Sequence, residues 1–169
     1  MSEQEEFIDR ICGYLDQRGL APRTLGVTDY DMDAPLRAIR RLMLESNGLI
    51  TVAFRRTYIQ KGAGNFRTDL SALHTYDLDE RWLTSPWAHI EPAMAYQIGL
   101  PILLLREAGV VADGLLQKGA VGTYMPEFDL SASNIDEYFE SPEWSDLIYK
   151  WEAQVRAVVD HKGQPPRLY

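Results

Sequence analysis

Two short apolar runs restrict the fold of this chain more than any other feature. Residues 49–54 read Leu-Ile-Thr-Val-Ala-Phe, and residues 101–105 read Pro-Ile-Leu-Leu-Leu. Each is nearly continuous in apolar side chains and flanked by turn formers, the pattern of a strand buried on both faces. Such strands belong to parallel sheets, whose crossovers lay helices over the sheet. The rest of the chain supplies those helices. Phe7, Ile8, Ile11, Cys12 and Leu15 recur at helical spacing, which predicts a helix over 4–18 with Gly19 as its C-cap. Asp33 and Pro35 mark a second start, Leu36, Ile39, Leu42 and Met43 form its stripe, and Ser46-Asn47-Gly48 stops it. Ser85-Pro86 opens a third helix running to about residue 98, and Ser141-Pro142 opens a last one running to about residue 159. A short helix around 113–118 and weaker strands at 21–27 and 120–125 complete the reading. The alternation predicts an α/β domain with a doubly wound parallel sheet, flavodoxin-like, with helices on both faces in three layers. A chain of 169 residues suits one domain, over 1–161, with a loose tail at 162–169. Folds of this kind usually open on a central strand, whereas this chain opens on a helix. Either the usual first strand lies upstream of Met1 or the topology is unusual.

Composition removes several function classes. No apolar run approaches the ~18–20 residues that span a bilayer, so no membrane partner is expected. The first residues, Met-Ser-Glu-Gln-Glu-Glu, are acidic where a signal peptide is basic and then apolar. Cys12 has no second cysteine to pair with, which fits a cytoplasmic protein. A formal net charge of −8 argues against a nucleic-acid partner. The arginines are clustered, Arg37, Arg40 and Arg41 in one segment, Arg55 and Arg56 in another. Either group has the donors to hold a phosphate, and either also suits a solvated face. His74, His89 and His161 are scattered and form no zinc spacing, so no metal is expected. Asp29, Asp31 and Asp33 alternate like the start of a calcium loop, but Ala34 and Arg40 stand where it needs glycine and glutamate. Lys61-Gly-Ala-Gly-Asn65 lacks the Gly-Lys-Ser/Thr ending of a phosphate loop, and no Gly-x-Ser-x-Gly elbow occurs. No cofactor is called for. Residues 55–84 are the least regular part, and an irregular stretch of that length is usually functional or mobile.

The most informative segment is 85–101, between the two apolar runs. In open α/β sheets ligands bind beyond the carboxyl ends of the strands, where a helix following the first run begins. Glu91 is therefore the candidate catalytic residue. Phe54, Tyr58, Trp87 and Tyr30 are the aromatics available for stacking on a ligand, and Arg55 and Arg56 the candidate partners for a phosphate or pyrophosphate. The plainer readings are packing for the aromatics, solvation for the arginines, and a favourable helix-dipole position for Glu91.

Ser85, Trp87 and Glu91 have the spacing Ser-x-Trp-x-x-x-Glu. This resembles the segment of Toll/interleukin-1 receptor (TIR) domains that carries the catalytic glutamate of the NAD-cleaving members. The order before it, Leu36-x-x-Ile39, Ser46 and the run 49–54, is similar to the TIR order of helix, serine and strand. Glu91-x-x-x-Ala95-x-x-x-Gly99-x-Pro101 resembles nucleoside 2-deoxyribosyltransferases, whose nucleophilic glutamate has the same sequel. Together the resemblances cover roughly residues 4–106. Both imply attack at the C1′ carbon of an N-glycoside, with a carboxylate facing the positive charge that develops as the base leaves. The resemblance implies cleavage of NAD or a related nucleotide through Glu91, with a role in bacterial immune signalling or antiphage defence. Base exchange or hydrolysis on nucleosides is the alternative enzyme. A non-catalytic nucleotide-binding module that works by self-association as a homo-oligomer is the third reading. Pro92 disfavours helical geometry in the residue before it, so Glu91 is expected at a helix start or a kink.

Overall fold

The computed structural model describes residues 2–25, 27–29, 34–120, 127–130 and 135–160. The elements run α1 (Glu3–Gln17), α2 (Pro35–Glu45), β1 (Leu49–Ala53), β2 (Thr57–Ile59), β3 (Ala63–Gly64), β4 (Tyr76–Asp77), β5 (Arg81–Leu83), α3 (Trp87–Gln97), β6 (Ile102–Glu107), β7 (Glu127–Phe128), α4 (Ile135–Glu140) and α5 (Pro142–Asp160), with a 3-10 turn at Gly114–Leu116.

The two apolar runs lie side by side. β1 pairs in parallel with β6, from Leu49 opposite Ile102 to Ala53 opposite Arg106. β6 pairs in parallel with β7, Arg106 opposite Glu127 and Glu107 opposite Phe128, so the sheet order is β1-β6-β7. The chain is thus a mixed α/β protein built on a parallel three-stranded sheet. Strand alternation divides β6 between two cores. Leu103 and Leu105 join α1 and α5 through Phe7, Ile11, Leu15, Ile148, Trp151 and Val155. Ile102 and Leu104 join α2 and α3 through Ile39, Met43, Ala88 and Ala95. Burial on both faces explains why the run is uninterruptedly apolar.

The helix ends follow local chemistry. Ser2 accepts a hydrogen bond from the Glu5 N–H while the Glu5 carboxylate accepts from the Ser2 N–H, a capping box that starts α1. Gly19, at φ 72°, lets the Leu20 N–H donate back to the Leu15 carbonyl at 2.9 Å and closes the helix. Ser141 caps α5 by accepting from the Trp144 N–H at 3.1 Å. Helices α1 and α5 are joined by Glu152, buried between Arg18 and Arg156, whose guanidinium groups donate to it at 3.0 and 2.7 Å. Burial alone would raise its carboxyl pKa; the hydrogen bonds from both arginines outweigh this and hold it below the ordinary value. At the other end of α1, Phe7 stacks on Phe128 with ring centroids 3.9 Å apart and meets Phe54 edge-on at 6.0 Å.

Several expectations change. Residues 21–25 form no strand, and only an isolated bridge joins Leu25 to Asp29. The run Ala-Pro-Arg-Thr-Leu has too few apolar side chains to hold a place in a buried sheet. The helix expected at 113–118 is a single 3-10 turn. The strand expected at 120–125 falls largely on residues 121–126, outside the described residues, and β7 begins at Glu127. Asp33 and the tail at 162–169 also lie outside the described residues. Residues 55–84 are more regular than expected. β2 and β5 pair antiparallel, Tyr58 opposite Trp82, and β3 and β4 pair antiparallel farther out. Cys12 is half-buried rather than buried, and burial raises its thiol pKa. No helix among the described residues is long and apolar enough to cross a membrane.

Candidate functional site

Glu91 is set by α3. Pro86 has helical dihedrals, φ −53° and ψ −28°, so the helix physically begins at Pro86 with Ser85 as its cap. The Ser85 hydroxyl accepts from the Trp87 N–H at 3.3 Å. From there α3 continues through Pro92. Glu91, expected at a helix start or a kink, lies inside α3 and not at its start, and the Pro92 ring that follows it is fully buried. Ala88, Pro92 and Ala95 form the buried face of the helix. Glu91 stands on the flank of that face, in the second turn.

Its surroundings are unusual for a glutamate. The side chain is half-buried, and no hydrogen bond or ion pair reaches it from the described residues. Burial pushes its carboxyl pKa above the ordinary value of 4.5, with no opposing charge to bring it down. His89, two residues earlier and so on the opposite flank, has Nε2 3.5 Å from Asp113 Oδ1. Glu91 therefore lies on the side of α3 away from the 3-10 turn.

Comparison of the chain with protein-family models, with curated proteins and with solved structures returned no match. The reading of the site rests on its own geometry.

The residues singled out with Glu91 have dispersed roles. Phe54 is buried in the aromatic cluster of α1 and β7, with its ring against Phe7 and Phe128. Arg55 is tied down: its Nε donates to the Ala108 carbonyl at 2.7 Å and lies 3.4 Å from Glu107, and its Nη2 lies 3.6 Å from Asp129. Arg56 is exposed, and no acceptor among the described residues engages its guanidinium. Tyr58 packs its ring on Trp82 at 4.9 Å and stays 48% exposed. Trp87, at the start of α3, is 40% exposed, which leaves a large aromatic face open one turn from Glu91. Tyr30 lies outside the described residues. Ser85, Trp87 and Glu91 are thus carried together on one helix end, while Phe54 and Arg55 are held in packing and ion pairing.

Other groups at the carboxyl end of the sheet escape a reading of the sequence. Glu107, only 3% exposed, accepts the Arg55 backbone N–H at 2.9 Å. It links the ends of β1 and β6. Arg106 donates to the Val110 carbonyl at 2.5 Å and pairs with Glu127, while its Nε is buried without an acceptor. A cavity of about 340 Å³ opens beside it, lined by Tyr76, Asp77, Arg81, Arg106, Val110 and Glu127 among others. Glu91 is not in that lining. The available signal was the pair Arg106-Glu107 closing an apolar strand, since charges at the carboxyl end of a buried strand rarely serve the core.

Proposed function

We propose that this chain cleaves the N-glycosidic bond of NAD or a related nucleotide, with Glu91 as the carboxylate facing the reacting sugar. The observation that carries this reading is Glu91 itself: half-buried, without a partner among the described residues, and in the second turn of the helix between β5 and β6. A carboxylate with no cation beside it retains its full field for a positive charge that arrives later. An oxocarbenium-like centre is such a charge, and partial desolvation strengthens the interaction. Trp87 offers an exposed ring for the base, and Arg56 offers an unengaged guanidinium for a phosphate. A nucleoside, lacking phosphate, would use Glu91 and Trp87 without Arg56, as in deoxyribosyl transfer. The fold reading that accompanies the proposal is flavodoxin-like, with helices in layers on either side of the sheet. A cytoplasmic role in bacterial immune signalling or antiphage defence belongs to the same proposal.

The edge of β1 favours a second reading. Among the described residues β1 pairs only with β6, so its other edge lacks a neighbouring strand. An unpaired edge suits strand addition from another copy, and with it a self-assembling, nucleotide-binding module without turnover.

The deciding experiment incubates concentrated protein with NAD and, separately, with nucleosides and deoxynucleosides, following released nicotinamide and free base by chromatography. The expected result is release that disappears in Glu91→Gln. Ligand binding without release at any protein concentration would overturn the enzyme reading in favour of the module.

A further inference from the structure

The cavity at the carboxyl end of β6 has a clear imbalance of hydrogen-bonding groups. The excursion between β1 and α3 folds back over the sheet, where the Trp82 N–H donates to the Gly109 carbonyl and the Val111 N–H to the Trp82 carbonyl, at 3.2 and 2.8 Å. The open cleft so formed has about 340 Å³, within the range of small-molecule sites. Two carboxylates line it, and both are engaged. Asp77 accepts from the Asp79 N–H at 2.7 Å, and Glu127 pairs with Arg106. Several donors that line it are not. Arg81 has no partner among the described residues. The backbone N–H groups of Gly109 and Ala112 donate to nothing among the described residues. These donors lie on exposed residues, free to turn from water to a ligand that brings oxygen lone pairs.

We infer that this cavity binds a small molecule through an oxyanion group, a phosphate or a carboxylate, held by the Arg81 guanidinium and the backbone N–H groups of Gly109 and Ala112. The position agrees with the rule that open parallel sheets take ligands beyond the carboxyl ends of their strands. The guanidinium fork of Arg81 gives two-point recognition of either group. Tyr76, 45% exposed at the rim, is placed to cover the remainder of the ligand. The site does not include Glu91 and stands independently of the glycosidase proposal.

The test is calorimetric titration of the full chain at low ionic strength with inorganic phosphate, pyrophosphate and succinate, in parallel with amide spectra of labelled protein. Saturable binding of one or more probes is expected, with shifts at Gly109 and Ala112. Affinity should fall at least tenfold in Arg81→Ala and stay unchanged in Lys150→Ala, an exposed charge on α5. It should also be unchanged in Glu91→Gln, which separates this site from the proposed reaction centre. Preference for pyrophosphate over succinate would assign a phosphate ligand, and the reverse a carboxylate. No saturable binding of any probe, or binding indifferent to Arg81→Ala, would overturn the inference. Arg81 is exposed and unpaired, so the variant's folding is not in question, and its circular dichroism and melting curve provide the check.

Discussion

Glu91 makes opposite demands on stability and on chemistry. Burial raises its pKa in the folded chain, so the native state holds a proton that the unfolded chain releases near 4.5. Below that value both states are protonated and burial costs nothing. As pH rises through the folded pKa the native state must ionise an unpaired carboxylate, and the penalty is complete above it. Glu91→Gln is neutral throughout. Its melting temperature should match the parent's in acid and exceed it at neutral pH, as a series of thermal melts across that range would show. A constant difference across the series would mean that the carboxylate is equally solvated in both states. Arg55, by contrast, is held on the Ala108 carbonyl beside Glu107, and that use was invisible in the sequence because its partners lie more than fifty residues away.

The helices and the sheet meet tightly at Gly48, between α2 and β1. A Cβ there would lie 2.5 Å from Val155 Cγ2 and 3.0 Å from the Trp151 ring. Both belong to the buried face of α5, and the Trp151 indole N–H donates to the Pro101 carbonyl at 3.2 Å, so neither can swing away freely. Gly48→Ala should therefore cost about 1–3 kcal/mol by overpacking, read as a lower denaturant midpoint with unchanged slope. A variant as stable as the parent would show that α5 can shift on the sheet. In the sequence, Gly48 read only as the end of α2, since a turn signal is local and the helix that crowds it is a hundred residues downstream. The caps at Ser85 and Ser141 were legible for the opposite reason: each bonds a backbone group two or three residues on.

At the scale of the whole molecule, the two cores and the outer ladders are separable. None of residues 60–80 contributes to either core cluster. Ile59 pairs with Arg81, so a two-residue Asn-Gly turn in place of 60–80 would close the β2–β5 ladder as a hairpin. The shortened chain should unfold cooperatively, with a melting temperature within about 5 °C of the parent, since ~1 kcal/mol moves a domain of this size by only a few degrees. Loss of a single sharp transition would place the excursion inside the cooperative unit. These ladders were missed in the sequence because β2, β4 and β5 are two or three residues long and largely exposed, with no apolar alternation to announce them.

What could be read along the chain were the features whose causes are local or periodic: helix caps, the amphipathic stripes of α1 and α2, and two runs apolar enough to demand burial on both faces. Those were sufficient for an α/β protein with a parallel sheet and for the helix that carries Glu91. The pairing order β1-β6-β7, the absence of any cation beside Glu91 among the described residues, and the donor-rich cavity came from elsewhere. Each depends on which distant segments meet. The cavity joins residues 76–81, 106–112 and 127, and the imbalance of its hydrogen bonds exists only once the excursion has closed over the strand ends. Local propensity acts over a few residues, whereas the satisfaction of a buried donor is decided by whatever the fold brings beside it.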